Sequence, residues 1–394
     1  MPEMEPGLLA APPTVDYFQS QLGAMLALLE NLVAQDTPAS SKVNLDRMVR
    51  QMAQQLSSAG GTVEVLPQAD MGDILRATWD GAGGVGGQVL VLGHLDTVWP
   101  LGEAAQRPFR IEDGLAFGPG VLDMKAGLVE LVFAMRGLAS LSARPARRVV
   151  ALLTCDEEVG SPGSRELIEV EARRSQAVLV LEPAMPDGAL KTARKGWGLF
   201  HLAVHGRAAH AGANPQSGVS AIEELARQIS YLHNLTDYDL GTTVNVGVVR
   251  GGTRPNVIAA DADAEIDVRV TTLAEAERIL PAIRDLKPCL IGSQVEVSGG
   301  WNRPPMERTA GNAALFERAR LLARGLGFDV AQAASGAASD GNFAAALGIP
   351  TLDGLGAVGV GPHAEDEYIE VASLPQRTAL LACLLADVEL LEAA

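Results

Sequence analysis

The amino-acid sequence predicts an α/β fold, with a mostly parallel sheet flanked by helices and an inserted α+β domain of ferredoxin-like order. The chain has 394 residues, which is too long for one ordinary hydrophobic core. In its first half, three apolar runs alternate with helical sequence, as expected for the strands of a parallel sheet. Between residues 199 and 298 the segments instead follow the order β-α-β-β-α-β of a ferredoxin-like sandwich.

The domain bounds follow from this change of pattern. We expect residues 1–195 and 305–394 to form the first domain and residues 196–304 to form the insertion, with glycines near its ends at Gly196 and Gly299–Gly300. Apolar residues recur at helical spacing in two segments of the insertion and alternate with polar ones in its strands. Its expected elements are strand Leu199–Val204, helix Ala221–Leu232, strands Thr243–Val249 and Ala262–Val270, helix Leu273–Leu286 and strand Gln294–Ser298.

The first elements of the chain are interpreted as scaffold. Apolar residues recur at helical spacing from Val15 to Ala34, and a second helix is expected from Asn44 to Leu56. Thr62–Leu66 and Ile74–Trp79 are rich in residues that favour strands.

The apolar run Val89–Leu92 ends on His94 and Asp96. Alternate residues of a strand leave on the same face, so these two side chains can meet or converge on one atom. A strand buried on both faces ends at the edge of the sheet where α/β proteins usually bind ligands. The pair indicates either a metal-binding imidazole oriented by a carboxylate or a simple turn cap.

Two further apolar strands end on acidic residues. Arg148–Thr154 leads into Glu157–Glu158, and Ala177–Leu181 leads into Glu182. Because the carboxyl ends of parallel strands lie along one edge of the sheet, we expect these carboxylates to lie near His94.

Two loops supply further candidate ligands. Asp123 lies in the glycine-rich turn Gly118–Gly127, ahead of a helix expected to end near Leu141, where an aspartate can also act as the helix cap. His363 lies in the loop Gly359–Glu365. The other C-terminal elements expected are a helix at Ala313–Leu326, a helix capped by Ser339–Asn342, a strand at Thr351–Leu352 and a last helix at Leu374–Leu391.

Composition excludes several classes of partner. Lys and Arg total 31 against 48 Asp and Glu, and the net charge of -17 repels nucleic acid and anionic membranes. No apolar stretch approaches the roughly 20 residues of a membrane span, and the first residues lack the pattern of a signal peptide. The three cysteines have neither disulfide nor zinc-site spacing. We therefore expect a cytoplasmic protein without nucleic-acid or membrane partners.

The candidate ligands form a mixed nitrogen and oxygen set that suits zinc, cobalt or manganese. They are His94, Asp123, Glu158, Glu182 and His363. Two metal ions about 3.5–4 Å apart require one bridging carboxylate and a terminal pair for each ion, which makes five ligands. A general base cannot also be a tight metal ligand, so the adjacent Glu157 and Glu158 can divide these two roles.

Five segments, in order along the chain, carry a family resemblance. They are Gly93–Val98, Gly120–Gly127, Asp156–Ser161, Leu181–Pro183 and Pro362–His363. These segments resemble the successive motifs of the M20 family of co-catalytic metallopeptidases and aminoacylases, and within it the glutamate carboxypeptidase (carboxypeptidase G2-like) branch. The match extends from residue 93 to residue 363 and includes the inserted domain, which makes it more specific than any single motif.

The resemblance implies a centre of two divalent metal ions, zinc in the first instance, with cobalt and manganese as alternatives. Asp123 would bridge the two ions and would be followed by a cis peptide bond. His94 and Glu182 would complete the ligands of one ion, and Glu158 and His363 those of the other.

Two more roles are implied at the same centre. Asp96 would hold the ring of His94 rather than bind metal itself. Glu157 would be the general base, which takes a proton from the attacking water and passes it to the leaving amine.

For the inserted domain the resemblance implies a lid that also forms a homodimer. His210 would reach the active site of the other subunit and donate a hydrogen bond to the oxyanion. Asn256, Arg269 and Arg303 would hold the terminal carboxylate of the substrate, whose shape a guanidinium group matches. Arg303 is the preferred candidate, because Arg269 can equally belong to a surface ion pair.

Together these features predict an amide hydrolase that releases a C-terminal amino acid from an N-acyl amino acid or a short peptide. A deacylase of the acetylornithine or succinyl-diaminopimelate type would share every metal ligand and differ only in the pocket. A non-catalytic binding protein on the same fold would not need Glu157. A serine hydrolase built from Ser339, Asp353 and His363 needs a strand before the serine, and Ala331–Gly336 is poor strand sequence.

Overall fold

The structure is a computed structural model that describes residues 12–83, 86–387 and 390. The chain divides into two compact units. The first contains the described residues up to Thr192, the segment Arg308–Ala334 and the described residues from Ser339 onward. The second contains Ala193–Glu307 and Ser335–Ala338, so the insertion expected at residues 196–304 falls inside its long segment.

Helices and strands follow one another along the chain with short connections. As far as residue 194 they are α1 (Val15–Val33), α2 (Lys42–Ser58), β1 (Thr62–Leu66), β2 (Ile74–Trp79), β3 (Gln88–His94), α3 (Glu103–Gln106), β4 (Arg110–Glu112), β5 (Leu115–Phe117), α4 (Ala126–Ser140), β6 (Arg148–Thr154), α5 (Arg165–Arg173), β7 (Ala177–Val180) and β8 (Leu190–Arg194). The second unit then contributes β9 (Gly196–His205), α6 (Ala221–His233), β10 (Thr243–Gly251), β11 (Asp261–Val270), α7 (Leu273–Arg284) and β12 (Gln294–Arg303). The remaining elements are α8 (Ala310–Gly325), β13 (Gln332–Ser335), α9 (Gly341–Ala346), β14 (Thr351–Leu352), β15 (Gly359–Val360), β16 (Tyr368–Glu370) and α10 (Ser373–Ala386).

The main sheet of the first unit has the strand order β1-β2-β6-β3-β7-β14. Strands β6, β3, β7 and β14 are parallel to one another, whereas β2 pairs antiparallel with β6, and β1 pairs antiparallel with β2. The predicted α/β fold with a mostly parallel sheet is therefore confirmed.

Strand β3 is buried along its whole length because both faces of the sheet are covered. Val89 and Val91 belong to the larger core, which includes residues of α1, α4 and α10. Leu90 and Leu92 belong to a second core on the opposite face, with residues of α5 and α9. The alternation of strand side chains thus fixes which way His94, the last residue of β3, can point.

Helix α4 begins close to the end of β7. A Cβ atom on Gly127 would overlap the carbonyl oxygen of Leu181, so only glycine allows this approach. The contact sets the position of the residue that follows, Glu182, relative to the turn before α4.

The second unit has a four-stranded antiparallel sheet in the order β10-β11-β9-β12, with α6 and α7 in its β-α-β-β-α-β sequence. The ferredoxin-like order is confirmed. Strand β12 runs to Arg303 and not to Ser298, because the expected boundary glycines lie inside it. Gly299 has φ 86°, and a Cβ there would overlap the carbonyl oxygen of Leu199 on the neighbouring strand.

Two local expectations were wrong. A strand, β13, occupies Gln332–Ser335, which we had judged poor strand sequence. The last helix ends at Ala386, and part of its expected continuation lies outside the described residues. The alternative role of Asp123 as the cap of α4 is excluded, because Met124 and Lys125 separate it from the first residue of that helix, Ala126. Among the described residues, no helix combines the length and the apolar character needed to cross a membrane.

Candidate metal centre

The carboxyl ends of three parallel strands meet in the first unit as expected. The Leu95 N–H donates to the Thr154 carbonyl at 2.8 Å, and the Leu181 N–H donates to the Leu92 carbonyl at 3.0 Å. Hydrogen bonding between β3 and its two neighbours therefore continues to the edge of the sheet. This edge brings the residues after β6 and β7 to the side chain of His94.

His94 meets two carboxylates at its Nε2 atom. Nε2 lies 3.2 Å from Asp123 Oδ1 and 3.4 Å from Glu182 Oε1. The other ring nitrogen, Nδ1, lies 3.0 Å from the carbonyl oxygen of Asp96 and 3.5 Å from its carboxylate. A ring whose Nδ1–H is held by Asp96 presents Nε2 as the free ligand atom, as in many metal sites.

His363 forms a second group of the same kind. Its Nε2 lies 3.3 Å from Asp123 Oδ2 and 3.2 Å from Glu158 Oε2. The residue has a left-handed φ of 65°, and the turn closes through a 2.8 Å hydrogen bond from the Ala364 N–H to the Gly361 carbonyl. Asp123 thus directs one oxygen to each histidine.

The two histidines offset part of the charge of these carboxylates. Hydrogen bonds with Asp123 and Glu158 raise the pKa of His363 to about 11. Burial lowers the pKa of His94, but hydrogen bonds with Asp123, Asp96 and Glu182 outweigh it, so this pKa lies well above its usual value. Burial raises the pKa of Asp123, yet hydrogen bonds with both rings hold it below its usual range.

The residues fit a metal ion. Ligand atoms of His94, Asp123 and Glu158 lie within 4.8 Å of one another, as do those of His94, Glu157 and Glu182. Glu158 Oε1 is buried and has no hydrogen-bond partner among the described residues, and coordination to a cation would offset the cost of burying this oxygen. The donors are imidazole nitrogens and carboxylate oxygens, which bind zinc, cobalt and manganese.

Asp96 contacts more than the histidine ring. Its carboxylate is fully buried and accepts the backbone N–H groups of Glu157 at 3.3 Å and of Glu158 at 3.0 Å. It therefore fixes the turn that carries both glutamates. The sequence spacing of His94 and Asp96 predicted only the contact with the ring.

The resemblance correctly implied a cis peptide bond between Asp123 and Met124. Sequence reasoning missed Glu367, a buried residue whose carboxylate accepts backbone N–H groups from the turn that carries Asp123. Burial raises the pKa of Glu367 to about 7, against the effect of these N–H groups. The sequence shows that Glu367 lies four residues after the candidate ligand His363, but the other acidic residues of that loop were equally good candidates for a role at the site.

The serine hydrolase alternative is not supported. The Ser339 hydroxyl is fully buried and donates to Asp353 at 2.6 Å, while it accepts the Gly341 N–H at 3.1 Å. The Nε2 atom of His363 contacts Asp123 and Glu158. The absence of a strand before the serine was the wrong argument against this alternative, because β13 lies there. The alternative fails because the Ser339 hydroxyl contacts a carboxylate and not a histidine.

The four remaining candidates lie in the second unit. Exposed His210 accepts the N–H groups of Gly212 at 3.1 Å and of Ala213 at 3.0 Å through its Nδ1 atom. Exposed Asn256 lies on the adjacent segment, and its carbonyl accepts the Ala211 N–H at 3.0 Å. Because Nδ1 of His210 accepts both of these N–H groups, the ring N–H of His210 is the one on Nε2.

The two arginine candidates lie in one row of the second unit's sheet. Arg269 on β11 and Arg303 on β12 both pair with Trp197 on β9. The guanidinium of Arg269 donates to both oxygens of Asp267, at 2.9 and 3.0 Å. Arg303 is buried, and its Nη1 donates to Asn302 Oδ1 at 3.2 Å.

A mixed histidine and carboxylate centre at the edge of an α/β sheet is typical of a metal-dependent hydrolase. Comparison with known families agrees. The chain belongs to peptidase family M20/M25/M40, because the model of that family matches residues 90–387. It is a metallo-exopeptidase or amidohydrolase of that family.

Individual relatives divide between two activities. Carboxypeptidase G2 of Pseudomonas sp. (strain RS-16) is 29% identical over 371 residues, which cover 92% of this chain and 89% of that protein. Acetylornithine deacetylase of Myxococcus xanthus is also 29% identical, over 384 residues that cover 92% and 96%. Among solved structures, the YXEP protein of Bacillus subtilis, a dinuclear metal binding peptidase, matches with a TM-score of 0.69 and 16% identity over 95% of this chain and 100% of its own.

Proposed function

We propose that the protein binds two divalent metal ions, zinc in the first instance, and releases a C-terminal amino acid, most readily glutamate, from an N-acyl amino acid or short peptide. The observation that carries this proposal is the pair of oxygens of Asp123. One faces His94, beside Glu182, and the other faces His363, beside Glu158. Two sets of ligands joined by one carboxylate are the arrangement that a two-metal hydrolase requires.

Glu157 is the proposed general base. When bound, the metal ions supply Lewis acidity to the scissile carbonyl group and lower the pKa of the attacking water. The Glu157 carboxylate lies within 4.8 Å of ligand atoms of His94 and Glu182, and its backbone is held by Asp96. From this place it accepts the proton of the attacking water and delivers it to the leaving amine.

The carboxylate of the substrate is proposed to bind the second unit. Arg303 is the main partner, with Arg269 and Asn256 as further donors. Arg269 is ranked lower because its bidentate contact with Asp267 is the ion pair that a structural arginine would make. Arg303 is ranked first because its guanidinium is buried, and a charge-assisted bond to a carboxylate is strongest in a buried place.

His210 is proposed to stabilise the oxyanion in the active site of the other subunit of a homodimer. Two backbone N–H groups occupy Nδ1, so Nε2–H is available as a donor on an exposed side chain. A donor aimed at the developing negative charge lowers the barrier of amide hydrolysis. Dimerisation would then be part of catalysis.

A deacylase of the acetylornithine type is the second candidate. Its support is the Myxococcus xanthus relative, which has the same identity to this chain as carboxypeptidase G2. Every residue of the metal centre would act identically in both reactions. We also propose a reducing, cytoplasmic compartment, because all three cysteines are free, and cell fractionation would test it.

A hydrolysis screen tests the substrate proposal. The purified protein, loaded in turn with zinc, cobalt and manganese, is given N-acyl-glutamates, N-acetylornithine, N-succinyl-diaminopimelate and short peptides. We expect the highest kcat/KM for acyl-glutamates. Preference for acetylornithine would establish the second candidate, and metal binding without any turnover would indicate a binding protein.

Glu157→Gln should lower kcat by about 10²- to 10⁴-fold, because it removes the proton acceptor. Metal content, measured by plasma emission spectrometry, should stay at the wild-type value, since Glu157 is not assigned as a ligand. Glu166→Gln, an exposed change of the same kind on α5, serves as the control. Wild-type kcat in Glu157→Gln would disprove the assigned base.

Arg303→Lys keeps the positive charge but loses the fork that matches a carboxylate. We expect KM for an N-acyl-glutamate to rise about 10-fold, as loss of one charge-assisted hydrogen bond implies. The same substrate with a C-terminal carboxamide should be cleaved equally by the variant and the wild type. If the variant also leaves KM for the carboxylate substrate unchanged, that carboxylate binds elsewhere.

Mixed dimers test the role of His210. His210→Ala and Glu157→Gln should each be nearly inactive alone. If His210 acts across the dimer, a heterodimer of the two variants, purified by two different tags, contains one complete site and should recover about half the wild-type kcat, one site of two in a symmetric dimer. A heterodimer that stays inactive, or a protein that sediments as a monomer, would contradict the proposal.

A further inference from the structure

Glu367 is a buried carboxylate outside the proposed set of metal ligands. It follows the loop of His363 and immediately precedes β16, and only 1% of its surface is exposed. A carboxylate in such a place is costly unless its oxygens are fully hydrogen-bonded. The partners of Glu367 therefore indicate why it is there.

Within the described part of the chain, the hydrogen-bond partners of the Glu367 carboxylate are N–H donors from two other segments. Oε1 accepts the backbone N–H groups of Leu122 at 2.8 Å and of Asp123 at 2.9 Å. Oε2 accepts the Gly120 N–H at 2.8 Å and the indole N–H of Trp99 at 3.2 Å. One side chain thus holds the turn that carries Asp123 by three of its backbone groups.

The same residue is tied to the loop of His363. The Glu367 N–H donates to the Ala364 carbonyl at 3.1 Å, and Ala364 is the residue after the histidine. The backbone of Glu367 therefore belongs to the His363 turn, while its side chain belongs to the Asp123 turn. A displacement of Glu367 would change the distance between these two ligands.

We propose that Glu367 is a positioning residue of the metal centre, which sets the bridging carboxylate of Asp123 against His363 by gripping the backbone of the Asp123 turn. This inference rests on the proposed two-metal function. The opposite side of the turn is held by Lys125, whose ammonium donates to the Pro119 carbonyl at 3.2 Å. The two charged groups hold the turn from its N–H side and from its carbonyl side.

A carboxylate is required because both oxygens must act only as acceptors. Glutamine has the same shape, but its NH₂ group would face two N–H donors and leave them without an acceptor. Each buried donor left unsatisfied favours a shift of the turn, and with it of Asp123. Partners that orient a metal ligand in this way change metal affinity by about 10- to 100-fold when they are replaced.

The test measures metal binding by the metal-free full-length protein. Cobalt(II) is titrated into wild type and Glu367→Gln, with calorimetry for affinity and visible absorption for the geometry around the ion. We expect cobalt to bind about 10- to 100-fold more weakly to the variant and its absorption bands to shift. For the zinc-loaded variant, kcat should fall while KM changes little. Glu365→Gln, an exposed change of the same charge in the same loop, should match the wild type.

The outcomes separate this inference from the proposed function. Wild-type protein that binds no cobalt would refute the two-metal centre itself. Wild-type protein that binds cobalt, together with a Glu367→Gln variant of equal affinity and identical spectrum, would refute only the role of Glu367. If Glu367→Gln fails to fold, Glu367→Asp takes its place, since it keeps the charge but is shorter. We expect weaker cobalt binding from it too, and wild-type affinity would overturn the inference.

Discussion

Backbone N–H groups that point at buried carboxylates hold the candidate metal centre together. Four ionisable carboxylates, those of Asp123, Glu157, Glu158 and Glu182, crowd one edge of the sheet, and like charges at such distances repel. The protein adds two more buried carboxyl groups there, those of Asp96 and Glu367. The oxygens of both carboxyl groups accept hydrogen bonds from backbone N–H groups of the turns that bear the ligands, and these bonds offset the added repulsion. The ligand turns are therefore fixed by charge that lies outside the ligand set, and the remaining excess negative charge is what a pair of cations would neutralise.

The sheet explains how much of this centre the sequence could predict. Apolar runs that end on polar residues locate His94, the Glu157–Glu158 pair and Glu182, because parallel strands must end along one edge. The ferredoxin-like sheet of the insertion could also be predicted, because each of its helices and strands shows a hydrophobic periodicity in its own segment of the sequence, and their order then indicates the fold. Asp123 and His363 lie in turns without periodicity, so only the resemblance to a family could assign them. Glu367 could not be found by either route, because a buried carboxylate in a loop differs from an exposed one only in its tertiary contacts.

The errors have local physical causes. Strand β13 formed from sequence with low strand propensity, since pairing with β8 supplies the hydrogen bonds that propensity does not. Gly299 lies inside β12 because the neighbouring strand approaches too closely for any side chain, so a glycine that looked like a boundary is a packing requirement. In both cases a neighbouring strand that is distant in sequence decides the outcome.

The adjacent glutamates show why the turn itself matters for chemistry. Glu158 is the residue that contacts His363, whereas Glu157 lies near His94 and Glu182. Consecutive side chains can diverge in this way only if the backbone between them is held in one conformation. The carboxylate of Asp96 holds it, one oxygen to each N–H, and the ring of His94 lies against the same residue. A ligand and a base that are neighbours in sequence are thus kept distinct by one buried carboxylate, so a loss of Asp96 would affect ligand and base together and would not resemble the loss of either glutamate alone.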